Sequence, residues 1–129
     1  MTHDLTVTLD LPFPDAVERV RAALQEQGFG VLTEVDVAAT LQAKLGEHME
    51  DYLILGACNP PLAHQALEID RSLGLLLPCN VVLRRTKEGT LVEIADPGMM
   101  VSLTTNSDLE PVAEQARDRL ALVVAALRG

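Results

Sequence analysis

Two strand-like runs, Asn80 to Arg85 and Leu91 to Ala95, are separated by Lys87-Glu88-Gly89, a connection of hairpin length. Parallel neighbours need a crossover of a dozen or more residues, so this reversal commits the two strands to antiparallel pairing. The other periodicities are organised around that hairpin. Thr6 to Leu9 alternates polar and apolar residues as a first strand. Pro12-Phe13-Pro14-Asp15 opens a helix whose Val17, Val20 and Leu24 face inward and which Gly28 ends. Phe29 to Val35 reads as a second strand. Asp36 caps a short helix carrying Val37, Leu41 and Leu45, closed by Gly46, and the polar stretch 47–51 is a loop.

Tyr52 to Ala57 is a continuous apolar run, expected as a buried strand, and Asn59-Pro60-Pro61 caps and opens a helix with Leu62, Ala66 and Ile69 on its core face. Ser107 and Glu110 have the spacing of a capping box at the head of a long final helix with Leu109, Ala113, Ala116, Leu120, Val123 and Leu127 inward. The order is β-α-β-(α)-β-(α)-β-β-α. It predicts an α+β fold, a largely antiparallel sheet of about five strands with helices packed on one face, rather than a doubly wound parallel sheet. At 129 residues, the chain is expected to form a single domain over 1–129.

Charge narrows the range of functions. The chain is acidic, with net charge -9, 10 Lys and Arg against 19 Asp and Glu, and only Phe13, Phe29 and Tyr52 aromatic. Nucleic-acid binding needs clustered cations or stacking platforms, so no nucleic-acid partner is expected. No stretch approaches the roughly 18 apolar residues of a membrane span, and no membrane partner is expected. Met1-Thr2-His3-Asp4 lacks a basic leader, and Asp4 and Asp10 interrupt the place where a signal peptide is apolar, so a cytoplasmic location is expected. Gly28-Phe29-Gly30 precedes a strand instead of opening a helix, which removes the dinucleotide reading, and no serine stands in a nucleophile elbow. No cofactor is expected, and the residues form no complete catalytic constellation.

The residues with chemical promise are a repeated dipeptide. Cys58-Asn59 ends a buried strand at a helix start, where free amides and the helix dipole lower a thiol pKa, and Cys79-Asn80 starts the next strand. The competing reading makes both cysteines small buried hydrophobes, with Asn59 only a cap. His64, one turn from Glu68, is a further ligand or proton-transfer candidate whose plain alternative is a solvated helix face. Met99 and Met100 beside Asp96-Pro97-Gly98 suit a pocket wall or a core filler. If the strands of Cys58 and Cys79 are antiparallel, the thiols meet at one sheet edge; parallel strands of about six residues would hold them roughly 20 Å apart. The hairpin favours the antiparallel case. Two thiols and two amides would then converge beside a helix start, a site for an anion, a soft metal or a reversible disulfide.

Leu73-Gly74-Leu75-Leu76-Leu77-Pro78 and the all-apolar Ala121 to Leu127 offer more apolar surface than one small sheet covers, which predicts a homodimer joined through one of them. Three functional classes remain: a ligand- or partner-binding accessory module with a site near the Cys-Asn motifs, a thiol redox enzyme or sensor using Cys58 and Cys79, and a structural partner domain.

Taken together, Gly28-Phe29-Gly30-Val31, Leu55-Gly56-Ala57-Cys58-Asn59-Pro60, Ala63, Ala66-Leu67, Gly74-Leu75-Leu76-Leu77-Pro78-Cys79-Asn80-Val81, Asp96-Pro97 and Met99-Met100 resemble the bacterial and archaeal "domain of unknown function 302" family over nearly the whole chain. The resemblance implies a small α+β fold, commonly homodimeric, with no established activity, and marks Cys58, Asn59, Cys79 and Asn80 as recurring polar positions.

Overall fold

The computed structural model describes residues 5–129, so the expectation drawn from Met1 to Asp4 lies outside the described residues. The elements are β1 (Thr6–Leu9), α1 (Phe13–Glu26), β2 (Gly30–Asp36), α2 (Val37–Leu45), β3 (Tyr52–Cys58), α3 (Pro60–Ile69), β4 (Cys79–Thr86), β5 (Gly89–Ile94), α4 (Met99–Thr104) and α5 (Glu110–Arg128). A 3-10 segment spans Arg71–Leu76 and a 3-10 turn Ser107–Leu109. The sheet has five strands in the order β1-β5-β4-β3-β2, and every neighbouring pair is antiparallel. This is the α+β architecture that the hairpin and the periodicities predict.

Alternation sorts the strands into two faces. Val7, Leu9, Leu53, Leu55, Ala57, Val81, Leu83, Val92 and Ile94 are buried, and cross-strand pairs such as Leu53 with Leu83, and Leu83 with Val92, put them on one face. Ala16, Val20, Ala23 and Leu24 of α1 and Leu120, Val123, Val124 and Leu127 of α5 complete this main core. A second, smaller cluster joins Leu62 and Ala66 of α3, Leu73 of the 3-10 segment, Leu109 of the 3-10 turn, and Val112 and Ala116 of α5. Helix α5 thus serves both clusters along its length.

The hairpin is tighter than its sequence shows. Thr86 pairs with Gly89, leaving Lys87 and Glu88 as the turn. Neither has a positive φ; the left-handed residue is Gly89 itself, at φ +136. A type I turn followed by a glycine of reversed hand restores the strand twist that a type I turn alone would splay. The hairpin tip also crosses the end of β1: a Cβ on Gly89 would meet the Leu9 carbonyl oxygen, with the Leu9 carbonyl carbon at 3.2 Å and the Asp10 Cα at 3.5 Å.

Several local expectations need correction. The Ser107/Glu110 capping box does not form; Asn106 Oδ1 accepts from the Asp108 amide at 3.0 Å to start the 3-10 turn, and α5 begins at Glu110 without a side-chain cap. The short helix α4 has no counterpart in the sequence reading. The two apolar segments predicted to join subunits are mostly consumed within the chain. Leu73 is fully buried, Leu76 and Leu77 pack on the smaller cluster, and Val123, Val124 and Leu127 lie in the main core, leaving Leu75 and Leu122 exposed. Further exposed apolar side chains stand on β2, α2 and the loop that follows, at Leu32, Val35, Leu45 and Met49, and elsewhere at Ile69, Met99 and Leu103, and α2 buries no side chain.

Candidate functional site

Strand β3 and helix α3 meet in a single residue, which places the Cys-Asn dipeptide. Asn59 is buried at 7% exposure, and its Oδ1 accepts from the Leu62 amide at 3.2 Å, the cap that its residue type predicts. Pro60 and Pro61 occupy the first helical positions and carry no amide hydrogen. The Ala63 amide donates to the Asn59 carbonyl at 2.9 Å. The first turn of α3 therefore has no uncommitted donor for an anion or a thiolate. An anion there would find no backbone donor in this turn, because the cap and the two prolines use up or withhold those groups.

Register decides the relation between the cysteines. Ala57 stands opposite Cys79, and Cys58 stands opposite Gly30 on the other neighbour. The antiparallel expectation holds, and both thiols sit at one sheet edge. Directly opposed residues share a face and successive residues alternate, so Cys79 shares the helix-packed face with Ala57 while Cys58 leaves the other. Both are free thiols. Asn80 stands opposite Gly56 on the face that Cys58 takes. A Cβ on Gly56 would meet the Thr33 hydroxyl and approach the Pro78 ring to 2.7 Å, so a glycine is what lets Pro78 fold against the sheet beside this edge.

Along the seam between the two apolar clusters runs a cavity of about 310 Å³. Phe29, Ala57, Cys79 and Leu120 line it from the main core, and Leu62, Ala66, Leu76, Leu77, Met100, Val112 and Ala116 from the smaller one. Cys58, Asn59, Asn80, Asp96 and Met99 add the remaining chemistry. Four of the five candidate residues, Cys58, Asn59, Cys79 and Asn80, thus come together on one cavity. His64 does not join them: it lies on the solvent face of α3 with its side chain 75% exposed, 3.5 Å from Glu68. Among the described residues no group of three or more His, Cys, Asp and Glu gathers as metal ligands. No helix among them is long and apolar enough to cross a membrane.

With fold and cavity in place, the comparisons are specific. The family described as "Domain of unknown function DUF302" matches over residues 5–127. The chain belongs to the DUF302 family. Among solved structures it is similar to an uncharacterized conserved DUF302 protein from Bacillus stearothermophilus, with TM-score 0.88 and 29% identity, covering 95% of this chain and 96% of that one. No curated protein matches the chain.

In this DUF302 chain Asp96 is one of the cavity's lining residues. Its Oδ1 accepts from the Gly98 amide at 2.8 Å, and its Oδ2 accepts from Arg117 Nε at 3.1 Å, tying the end of β5 to α5. Sequence reading passed over Arg117, because nothing local marks a helix arginine as the partner of an aspartate 21 residues earlier.

The thiols are protonated groups in an apolar wall. Burial pushes the Cys58 thiol up, and burial with the nearby Asp96 carboxylate pushes Cys79 up to about 11 from an ordinary 9.0. Cys79 Sγ donates to the Ala95 carbonyl at 3.4 Å. Both shifts run opposite to the lowering expected of Cys58 at a helix start. An acid whose folded pKa lies above its unfolded value keeps its proton in the native state while the unfolded chain loses it. Stability is then full below pH 9.0 and falls as pH rises towards about 11. The loss expected across that window is on the order of 2 kcal/mol. Urea unfolding at about pH 8 and about pH 10.5 should show it in the parent chain and a much smaller decline in Cys79→Ala.

Proposed function

We propose that this DUF302 chain is a small-molecule-binding accessory module whose ligand occupies the cavity between α3 and the sheet end. The observation that supports it is the cavity itself: about 310 Å³, the volume of about ten liquid waters, walled mostly by apolar side chains with a few polar groups at one end. Its charge economy disfavours an anionic ligand. Arg117 is engaged by Asp96, the α3 amides are committed, and the chain carries net charge -9. The redox alternative draws less support, since the thiolate is the reactive form and both thiols are held in the protonated one.

Calorimetry with two neutral bicyclic alcohols, 2-naphthol and decahydro-2-naphthol, tests the reading. Saturable one-to-one binding of at least one, with Kd below about 1 mM, is expected. Ala63 lines the cavity and is only half-buried, so Ala63→Phe should fill the space and abolish that binding without breaching either core. Binding of neither alcohol, or binding unchanged in Ala63→Phe, overturns it.

A homodimer remains part of the proposal, now supported by the exposed Leu32, Val35, Leu45 and Met49 on β2, α2 and the loop that follows. Sedimentation showing only monomer at about tens of micromolar overturns it. A reducing cytoplasm suits a chain with two free thiols.

A further inference from the structure

We infer that the ligand of this cavity is a planar aromatic molecule, an inference that rests on reading the cavity as a binding site and names the class of molecule it takes. Both cysteines of the chain and two of its four methionines, Met99 and Met100, line this one cavity. Divalent sulfur is polarizable and makes favourable contacts with aromatic rings, each worth about 0.3–1.5 kcal/mol. The protein itself has few rings to offer those sulfurs. Of its three aromatic side chains only Phe29 reaches the cavity, while Phe13 and Tyr52 are absent from its walls. A concentration of sulfur in a wall with one ring of its own is matched by a ring that arrives with the ligand.

The methionines are placed to act on a ligand rather than to fill a core. Met99 is 47% exposed, and α4, which both methionines begin, buries no side chain. Met100 packs at the margin of the smaller cluster. Unbranched thioethers on so lightly buried a helix adapt to the face of a flat guest. The wall includes no lysine, arginine or histidine, so nothing in it favours an anionic ring, and the two probes used are both uncharged.

The two naphthols separate this inference from the reading beneath it. They share a skeleton and a hydroxyl, and the saturated one has the larger apolar surface, so burial alone favours decahydro-2-naphthol. Sulfur contacts reverse the order: 2-naphthol is expected to bind about tenfold tighter. In the double variant Met99→Leu, Met100→Leu, which keeps apolar bulk while removing both thioethers and leaving the two thiols, the ratio should fall at least about threefold. Equal binding to the parent chain, or a preference undiminished in the double variant, overturns the aromatic inference while the cavity reading stands. Binding of neither alcohol overturns both.

Discussion

Gly89→Ala is expected to lower stability by about 3–5 kcal/mol, the sum of a backbone cost and a steric one. At φ +136 the backbone lies where side-chain-bearing residues are strained, a cost of about 1–3 kcal/mol. The new methyl would also be driven against the Leu9 carbonyl oxygen. That oxygen has little freedom to retreat, since Leu9 is buried and its residue is paired with Thr90 across the β1–β5 ladder. Relief would require lifting β1 from the hairpin, disturbing the buried Val7 and Val92 beside it. Thermal unfolding followed by circular dichroism should show a midpoint about 12–20 °C lower, at about 4 °C per kcal/mol for a chain of this size. Gly74→Ala is the control: a Cβ there meets open space, and φ is ordinary. A Gly89→Ala midpoint no lower than that of Gly74→Ala would contradict the close approach of the hairpin to β1.

The second large effect is expected at Leu120. It is fully buried in the main core and also faces the cavity, so it forms part of the wall between two packed regions. Truncation to alanine removes apolar contacts and leaves space that joins a void already present, so neighbours have little to collapse onto. Leu→Ala changes in cores cost about 2–5 kcal/mol and rise with the space left behind, which puts Leu120→Ala near about 4 kcal/mol. Urea denaturation should show that loss with an unchanged m-value. The enlarged void should also admit 2-naphthol, so saturating ligand is expected to recover part of the lost stability by mass action. A loss under about 1 kcal/mol would mean that Leu120 does not bear on the core as its burial implies.

The hairpin was legible because Lys87-Glu88-Gly89 is short and flanked by strand-like runs, and the antiparallel sheet followed from it. Asn59 was legible as a cap because its residue type and the prolines after it have one common explanation at a helix start. The faces of the cysteines were not. Alternation has period two, so a register offset of one residue between Cys58 and Cys79 reverses the answer, and no residue type reports that offset. Helix α4 was hidden because six residues without a side-chain cap are too few for a periodic apolar stripe to declare itself. The exhaustion of donors at α3 was half-visible: Pro60 and Pro61 announce two missing amides, but the capture of the Leu62 and Ala63 amides by Asn59 is geometry. The burial of most of the two apolar segments was hidden because length and greasiness do not reveal that a second cluster exists to absorb them.

That second cluster divides the molecule's cooperativity. Leu62, Ala66, Leu73, Leu109, Val112 and Ala116 form a small unit built from α3, the two 3-10 segments and the start of α5, held to the sheet along a seam that is partly void. A unit of six buried side chains opens at a lower free energy than a core of nineteen that is cross-braced by four antiparallel ladders. Hydrogen exchange is therefore expected to proceed in α3 and the Arg71–Leu76 segment through a partial opening that leaves β3, β4 and β5 protected. Under the proposed reading, a guest would enter by way of that opening without the sheet coming apart, and its seating would weld the weaker unit to the stronger one.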